Sequence, residues 1–487
     1  MKRTVLFIML GMVVLVALIM VMKAMLFKSR QMDVDPVTDI HVDGHQAALN
    51  LSRAIQFKTI SYRDPTQFDP DEFRAFHRFL EETYPGIHSR LTKKVINEYS
   101  LLYTWEGTDT SLKPVLFMAH MDVVPINPET EGDWTHPPFE GRIADGFIWG
   151  RGSLDDKVSL MAIMEAVETL ITNGFRPRRS LYLAFGHDEE IGGEDGAVRI
   201  AASLKSRGVE AEYILDESGV ITIGIVPGVS EPTALVGIAE KGYLTLELSV
   251  TQEGGHSSMP PPHSAIGILS TAIHNLERNQ LPSRLEGPTA RLFDWVGPEM
   301  PFGMKLVFAN PWLLGWLIEF LLEQSNSTNA SIRSTTAATI IEAGEQENVL
   351  PQRARAVLNF RLLQGDTIKD VIRHVEKTVD DPMVKVGIFG SPPSEASRVS
   401  DVDSEGFKIL ERTIRQVFPD TIVAPYLVVA GTDARHYSDV SESILRFLPI
   451  RLMGEDLRRI HGTNERVGVK NYEEIMKFYI QMVRNSN

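Results

Sequence analysis

Cysteine is absent from all 487 residues. That absence removes disulfides, thiolate metal sites and a cysteine nucleophile together, so any metal must be held by His, Asp and Glu. No G-x-S-x-G elbow is present, which argues against a serine hydrolase built on that turn. There is no internal repeat and no long low-complexity tract. Basic residues are outnumbered: 49 Lys and Arg stand against 64 Asp and Glu, a net charge of -15. A chain of that sign is a poor match for nucleic acid or for an anionic membrane surface as its main partner.

The length is too great for one ordinary domain, so two domains, or one with a large insertion, are expected. The N-terminus carries "TVLFIMLGMVVLVALIMVM", Thr4 to Met22, without a charge. About 20 apolar residues cross a bilayer, and the following "KAMLFKSRQ" offers no Ala-x-Ala cleavage site. Residues 1–30 therefore read as an uncleaved transmembrane anchor and 31–45 as a polar linker. Lys2 and Arg3 on one side face Lys23, Lys28 and Arg30 on the other, so charge alone does not set orientation. The export-type N-terminus places the rest of the chain outside the cytoplasm, periplasmic or extracellular.

From residue 46 to about 237, short apolar runs alternate with helical patterns, the signature of an α/β unit with a mainly parallel sheet. "VLFMA" (115–119), "LYLAF" (181–185) and "YILD" (213–216) are the expected central strands. "DKVSLMAIMEAVETLITNG" is apolar on nearly every face and stops at Asn173-Gly174, so a buried helix is expected. Near residue 238 the period changes. "YLTLELSVTQ" and "ARAVLNFRL" alternate as half-buried strands do. Between them Ala265, Leu269, Ala272 and Leu276 form one helical stripe behind a Ser264 cap. The expected organisation is a catalytic domain in two segments, 46–237 and 363–487, interrupted by an inserted smaller α+β lid over 238–362.

The chemistry gathers at strand ends. "MAHMD" puts His120 and Asp122 just after a strand, and "GRGSLDDK" puts Asp155 and Asp156 at the head of the buried helix. "FGHDEEIGG" sets Asp188, Glu189 and Glu190 side by side, "LDES" brings Asp216 and Glu217, and "RIHGTNE" brings His461. Three adjacent carboxylates beside a buried strand need positive charge to hold them, unless they form a solvated turn. Each piece alone has an ordinary explanation, since a His at a strand end often serves structure and an Asp pair before a helix often caps it. Together, beyond the carboxyl ends of parallel strands where ligands collect, they have the composition of an O/N metal site.

In order and spacing, "MAHMDVVP", "GRGSLDDK", "GHDEEIGG", "ILDES" and "RIHGTNE" resemble the motifs of the dizinc aminoacylase/carboxypeptidase family (peptidase family M20). "EKGYLTLEL", "GGHSSMPP", "ANPWLL" and "RIHG" resemble the branch that holds carboxypeptidase S and the N-fatty-acyl-amino-acid synthase/hydrolases. The resemblance implies two Zn2+ per chain, with Co2+ or Mn2+ as substitutes. Asp155 would bridge them, His120 and Glu217 would complete one site, and Glu190 and His461 the other. Asp122 would orient His120, Glu189 would act as general base, and Asp188 would serve the turn. His256 would donate to the oxyanion from the lid, in dimeric relatives from the partner subunit. Asn348, Arg361, Gly431, Thr432 and Arg435 match carboxylate-binding positions. A cis Asp155–Asp156 peptide is implied as well.

The expected enzyme is a dinuclear zinc amidohydrolase of the metallopeptidase type, cleaving an amide next to a free amino-acid carboxylate. Its partners would be a small-molecule or short-peptide substrate, the membrane through the N-terminal helix, and a second copy through a dimerisation-type lid. N-fatty-acyl amino acids are the first substrate class, in hydrolysis and in reverse synthesis. The alternative is a membrane-anchored metallocarboxypeptidase or dipeptidase acting on small peptides. A tethered binding protein without catalysis would have lost Glu189 or a ligand, and all are present. The apolar run Leu306–Gln324 is broken by Asn310, Pro311 and Glu319, which speaks against a second span. It is expected to pack within the lid or a dimer interface, to receive an acyl chain, or to touch the membrane.

Overall fold

The computed structural model describes residues 2–487. The expected strands form at 115–120, 181–186 and 213–216, all buried along their length, because uninterrupted apolar runs have no polar face to give to water. They pair in parallel with one another, and Ile444–Arg446 extends the parallel set beside Tyr213–Asp216. The flanks are mixed. Ser100–Trp105 pairs antiparallel with Leu181–Gly186, and Thr233–Glu240 meets Ile444–Arg446 and Ile221–Thr222 antiparallel. Ile422–Val428 and Arg451–Leu452 add parallel pairs to Thr233–Glu240 and Ile221–Thr222. The ten-stranded sheet is therefore mixed, with its parallel section at the centre.

The buried helix runs Lys157–Thr172 and ends at Asn173, followed by Gly174 at φ +74°. It packs between the sheet and the helices Gly44–Ile55, Pro85–Arg90 and Val469–Asn485. Its first residue, Lys157, is fully buried: the ammonium donates to the carbonyls of Ala54 (3.0 Å) and Phe57 (2.5 Å) and lies 5.4 Å from the Phe76 ring. Those carbonyls lie at and just beyond the C-terminus of the helix Gly44–Ile55, where last-turn carbonyls have few backbone donors and a buried cation is well placed.

A second, four-stranded antiparallel sheet carries its own core. Gly242–Thr251 and Arg353–Leu362 pair along their full length, and Thr335–Ala343 and Val384–Ile388 flank them. The helix Ala265–Arg278 starts where expected, with the Ser264 hydroxyl accepting from the Gly267 N–H at 3.2 Å, and buries the expected stripe. The helix Ile368–Val379 and the strand Val384–Ile388 belong to the same layer, past residue 362 where the sequence pattern ended it.

The linker lies along the layer of the ten-stranded sheet. The Gln31 side chain bridges both backbone groups of Val423, and the Met32 N–H donates to the Glu411 carboxylate at 2.9 Å. The apolar run at 306–324 packs on the N-terminal helix rather than on the second sheet. It divides into Phe302–Phe308 and Pro311–Leu322, bent by 109° at Asn310-Pro311. Pro has no N–H to bond back to the preceding turn, so the first helix cannot run on through Pro311, which instead starts the second helix at its first position. The helix Lys2–Leu26 is long and apolar enough to cross a membrane.

Candidate metal centre and active site

Parallel register brings the strand ends to one edge: His120 lies opposite Gly186, and Phe117 opposite Leu215. His120, Asp188–Glu190 and Asp216–Glu217 therefore leave the sheet together. The Asp155–Asp156 peptide, which is cis, leads into the buried helix behind them. His461 comes from a loop near the C-terminus and is held at φ +58°, the left-handed region.

The two imidazoles converge on one carboxylate. His120 Nε2 is 3.0 Å from Asp155 Oδ1, and His461 Nε2 is 2.9 Å from Asp155 Oδ2. Glu217 lies 3.6 Å from His120 Nε2, and Glu190 lies 3.2 Å from His461 Nε2. Ligand atoms of His120, Asp155 and Glu190 all fall within 4.8 Å of one another, as do those of His120, Asp156 and Glu217. Asp156 is already engaged by protein donors, the Ser159 hydroxyl and, at 3.4 Å, the His120 backbone N–H. Asp155 instead turns both oxygens toward the rings.

Asp122 does more than the sequence suggested. Its carboxylate is 3.4 Å from His120 Nδ1, but the shorter contact, 3.0 Å, is to its own backbone carbonyl. The carboxylate also accepts from the backbone N–H of Glu189 (3.2 Å) and Glu190 (3.1 Å). One buried side chain thus fixes both the first imidazole and the turn carrying the acids. Asp188 serves that turn by accepting from the Asp195 N–H at 2.8 Å, and burial pushes its carboxyl up to about 6. Gly193, at φ +74°, lets Asp433 close in from behind, since a Cβ there would stand 2.2 Å from Asp433 Oδ1.

The electrostatics are those of a cluster short of cations. Burial pushes Glu217 up to about 8, with Asp155 adding to it. Burial likewise raises Glu189 well above the carboxylate range, with Asp433, Glu217 and Glu190 contributing. Burial alone would favour neutral His120, but hydrogen bonds to Asp122, Asp155 and Glu217 outweigh it and raise that ring well above its usual range. Contacts with Asp155 and Glu190 push His461 up to about 10. Glu190 Oε1 is buried without a hydrogen-bond partner. The carboxylates outnumber the basic groups facing them, and one buried acceptor has no protein donor. That donor set, all oxygen and nitrogen, fits divalent cations such as zinc.

The expected carboxylate-binding residues divide into two groups. Arg361 is half-buried, stacks 4.9 Å from the Tyr243 ring, and is lowered by burial with Arg435 nearby. Arg435 lies beneath Gly431 and donates to the Gly192 carbonyl at 3.0 Å, one turn from Glu190. Thr432 is buried and donates its hydroxyl to Glu240, which is ion-paired to the buried Arg446. His256 and Asn348 are instead exposed together at the rim of the second sheet, where the Ser257 N–H donates to the Asn348 carbonyl at 3.1 Å. Neither hydrogen-bonds to the carboxylate cluster.

Sequence reasoning missed Glu465 and Arg151. Glu465 is fully buried and accepts from the N–H groups of Gly152 (2.9 Å), Leu154 (2.7 Å) and Asp155 (3.3 Å). Arg151 pairs with it at 2.5 Å and donates to the carbonyls of His461 and Gly462. The pair ties the Asp155 loop to the His461 loop. The only signal was their presence in "GRGSLDDK" and "RIHGTNE".

The sequence profile of peptidase family M20/M25/M40 matches residues 116–485. The chain is 43% identical over 481 residues to the "Probable carboxypeptidase S-like 2" of Dictyostelium discoideum, covering 97% of this chain and 92% of that protein. It is 41% identical over 442 residues to the N-fatty-acyl-amino acid synthase/hydrolase PM20D1.1 of Danio rerio, covering 90% and 85%. Among solved structures, the M20 family metallo-carboxypeptidase Sso-CP2 from Sulfolobus solfataricus superposes with a TM-score of 0.65 at 18% identity, over 91% of this chain and 99% of that one. That likeness concerns the fold.

Proposed function

The chain belongs to peptidase family M20/M25/M40, a family of metal-dependent hydrolases, and on that premise we propose that it is a dinuclear zinc amidohydrolase of N-fatty-acyl amino acids. It would cleave the amide next to a free amino-acid carboxylate and run the reverse condensation. The observation that carries the metal reading is the pair of imidazoles facing the two oxygens of Asp155, with Glu217 on one side and Glu190 on the other. Those five residues would hold the cations.

A pair of divalent cations supplies Lewis-acid polarisation of the scissile carbonyl and lowers the pKa of water at the site. Among Asp122, Asp155, Glu189, Glu190 and Glu217, only Glu189 lies outside ion-pair distance of both rings. That leaves it to take the water's proton and pass it to the leaving nitrogen, a task for which a raised pKa suits a carboxylate. Arg361 and Arg435, with Gly431 and Thr432, would hold the substrate carboxylate, and Asn348, exposed beside His256, would reach it from a second copy. His256 sits at an exposed rim, which supports a donor presented to a second copy's site through the lid. The lid would be the four-stranded layer, and the helix Lys2–Leu26 an anchor that leaves the catalytic portion outside the cytoplasm.

The Danio rerio relative supports the acyl reading, and the Dictyostelium relative the alternative, a carboxypeptidase or dipeptidase. A kcat/KM series across acetyl-, octanoyl- and oleoyl-phenylalanine beside plain dipeptides separates them. Each buried methylene is worth about 0.8 kcal/mol, so three give roughly a 50-fold preference. We expect the rate constant to climb with acyl length. Faster cleavage of dipeptides would overturn the proposal in favour of the peptidase.

A further inference from the structure

We infer that the helix Pro311–Leu322 is an interfacial foot, seated in the boundary of the same phospholipid bilayer that the N-terminal helix crosses, with Trp312, Trp316 and Phe320 facing lipid. This rests on reading Lys2–Leu26 as a membrane span, and adds a second, sideways contact to it.

The helix is apolar on both faces. Ile318 and Leu322 point inward and pack with Ile332, Phe293 and Phe308. On the opposite side, Trp312, Trp316 and Phe320 recur every four residues and are 53%, 69% and 55% exposed. Core packing uses up the inner face only. An outward aromatic stripe of this kind on a soluble domain marks a contact surface.

The structure also says what covers it. Asn310, at the head of the foot, is fully buried and donates its Nδ2 hydrogen to the Met20 carbonyl of the N-terminal helix at 3.1 Å. The Lys23 ammonium lies 5.5 Å from the Trp312 ring, and the Phe27 ring packs against Gly297, just before the paired helices. The anchor and the foot are therefore one unit. Depth follows from helix rise: the 20 residues from Thr4 to Lys23 span about 30 Å, the hydrocarbon thickness of a bilayer. A bilayer that holds the anchor ends near Met20–Lys23, the level at which Trp312 is attached. That is the headgroup boundary, where Trp is enriched. The 109° bend turns the second helix away from the line of the first, and a helix of 12 residues cannot cross alone. A surface-lying orientation is what remains. Lys23 stands at the same level, where lipid phosphates lie.

The test uses the full chain in phosphatidylcholine vesicles. Tryptophan emission is read with spin-labelled lipids that quench either near the headgroup or at the acyl end. The other four tryptophans, Trp105, Trp134, Trp149 and Trp295, lie in the globular portion, and three of them are buried. Headgroup-level label should quench the native chain at least about twofold more than the Trp312→Phe/Trp316→Phe chain, and acyl-end label less so, as expected for interfacial rings. Each single Phe substitution should remove some of the effect. Equal quenching of native and doubly substituted chains that both float with the vesicles would overturn the foot and leave the anchor standing. A chain that does not float would overturn the anchor, and the foot with it. Cross-linking of vesicle-bound chains through this face, with both rings shielded from label, would assign the face to a second copy instead.

Discussion

Arg151→Met tests how the two loops of the candidate metal centre are held together. Arg151 is 3% exposed and gives hydrogen bonds to Glu465 and to the carbonyls of His461 and Gly462. Losing the carbonyl bonds costs about 1.5–3 kcal/mol, the scale for charged donors. The carboxylate adds a pH-dependent contribution. Burial already pushes Glu465 up to about 7, with Arg151 opposing that rise, so without the guanidinium the carboxyl moves higher still. A buried acid with a raised pKa keeps its proton longer in the folded chain, so folded stability falls as pH climbs from the unfolded value near 4.5 toward 7. In the native chain that fall stops near 7. In the variant it continues, and the gap between the two widens by about 1.4 kcal/mol per pH unit above 7. Unfolding entropy of roughly 2.1 cal/mol/K per residue gives about 1 kcal/mol per degree for a chain of this length. The variant, freed of metal by chelator, should therefore melt about 2–3 °C lower at pH 6 and about 3–5 °C lower at pH 8, read by calorimetry. A difference that is smaller at pH 8 than at pH 6 would refute the reasoning.

Three further variants have outcomes that the structure sets. Glu189→Gln should retain metal by elemental analysis while turnover falls about 10²–10⁴-fold, the range for a general base. Glu190→Gln should instead lose some of the metal, and activity should return with added zinc; metal loss from the Glu189 variant would reverse the assignment. His77 is buried against the Tyr99 carbonyl at 2.8 Å and, by burial with Lys93 nearby, is lowered to about 4. A depressed imidazole contributes stability above its unfolded pKa near 6.5 that is lost as pH falls toward 4, about 3 kcal/mol in all. His77→Gln should flatten the decline in melting temperature between pH 6.5 and 4, and an unchanged decline would exclude His77 as its source.

The residues most legible in the sequence were those whose neighbours along the chain explain them. The apolar runs at 115–119, 181–185 and 213–216 read as buried strands, and parallel pairing then delivers whatever follows each run to one edge. His120, Glu190 and Glu217 could be gathered on paper for that reason, with Ser264 readable as a cap from its spacing alone. His256 and Asn348 were legible only through family resemblance, and a single chain keeps them at a rim apart from the cluster.

What the sequence determined by itself was the kind of chemistry and the local elements: cysteine-free ligands, acids placed where strands end, and an apolar N-terminal helix. Tertiary structure decided the pairings between distant segments. Only in three dimensions does Glu465 meet Arg151 across more than 300 residues, does Asp122 take the N–H groups of Glu189 and Glu190, and does Asn310 reach the carbonyl of Met20. Hydrophobic periodicity specifies which face of an element is buried, but the burial of apolar area is non-directional and does not name the partner. Buried hydrogen bonds and charges do name it, because an unpaired one is too costly to keep.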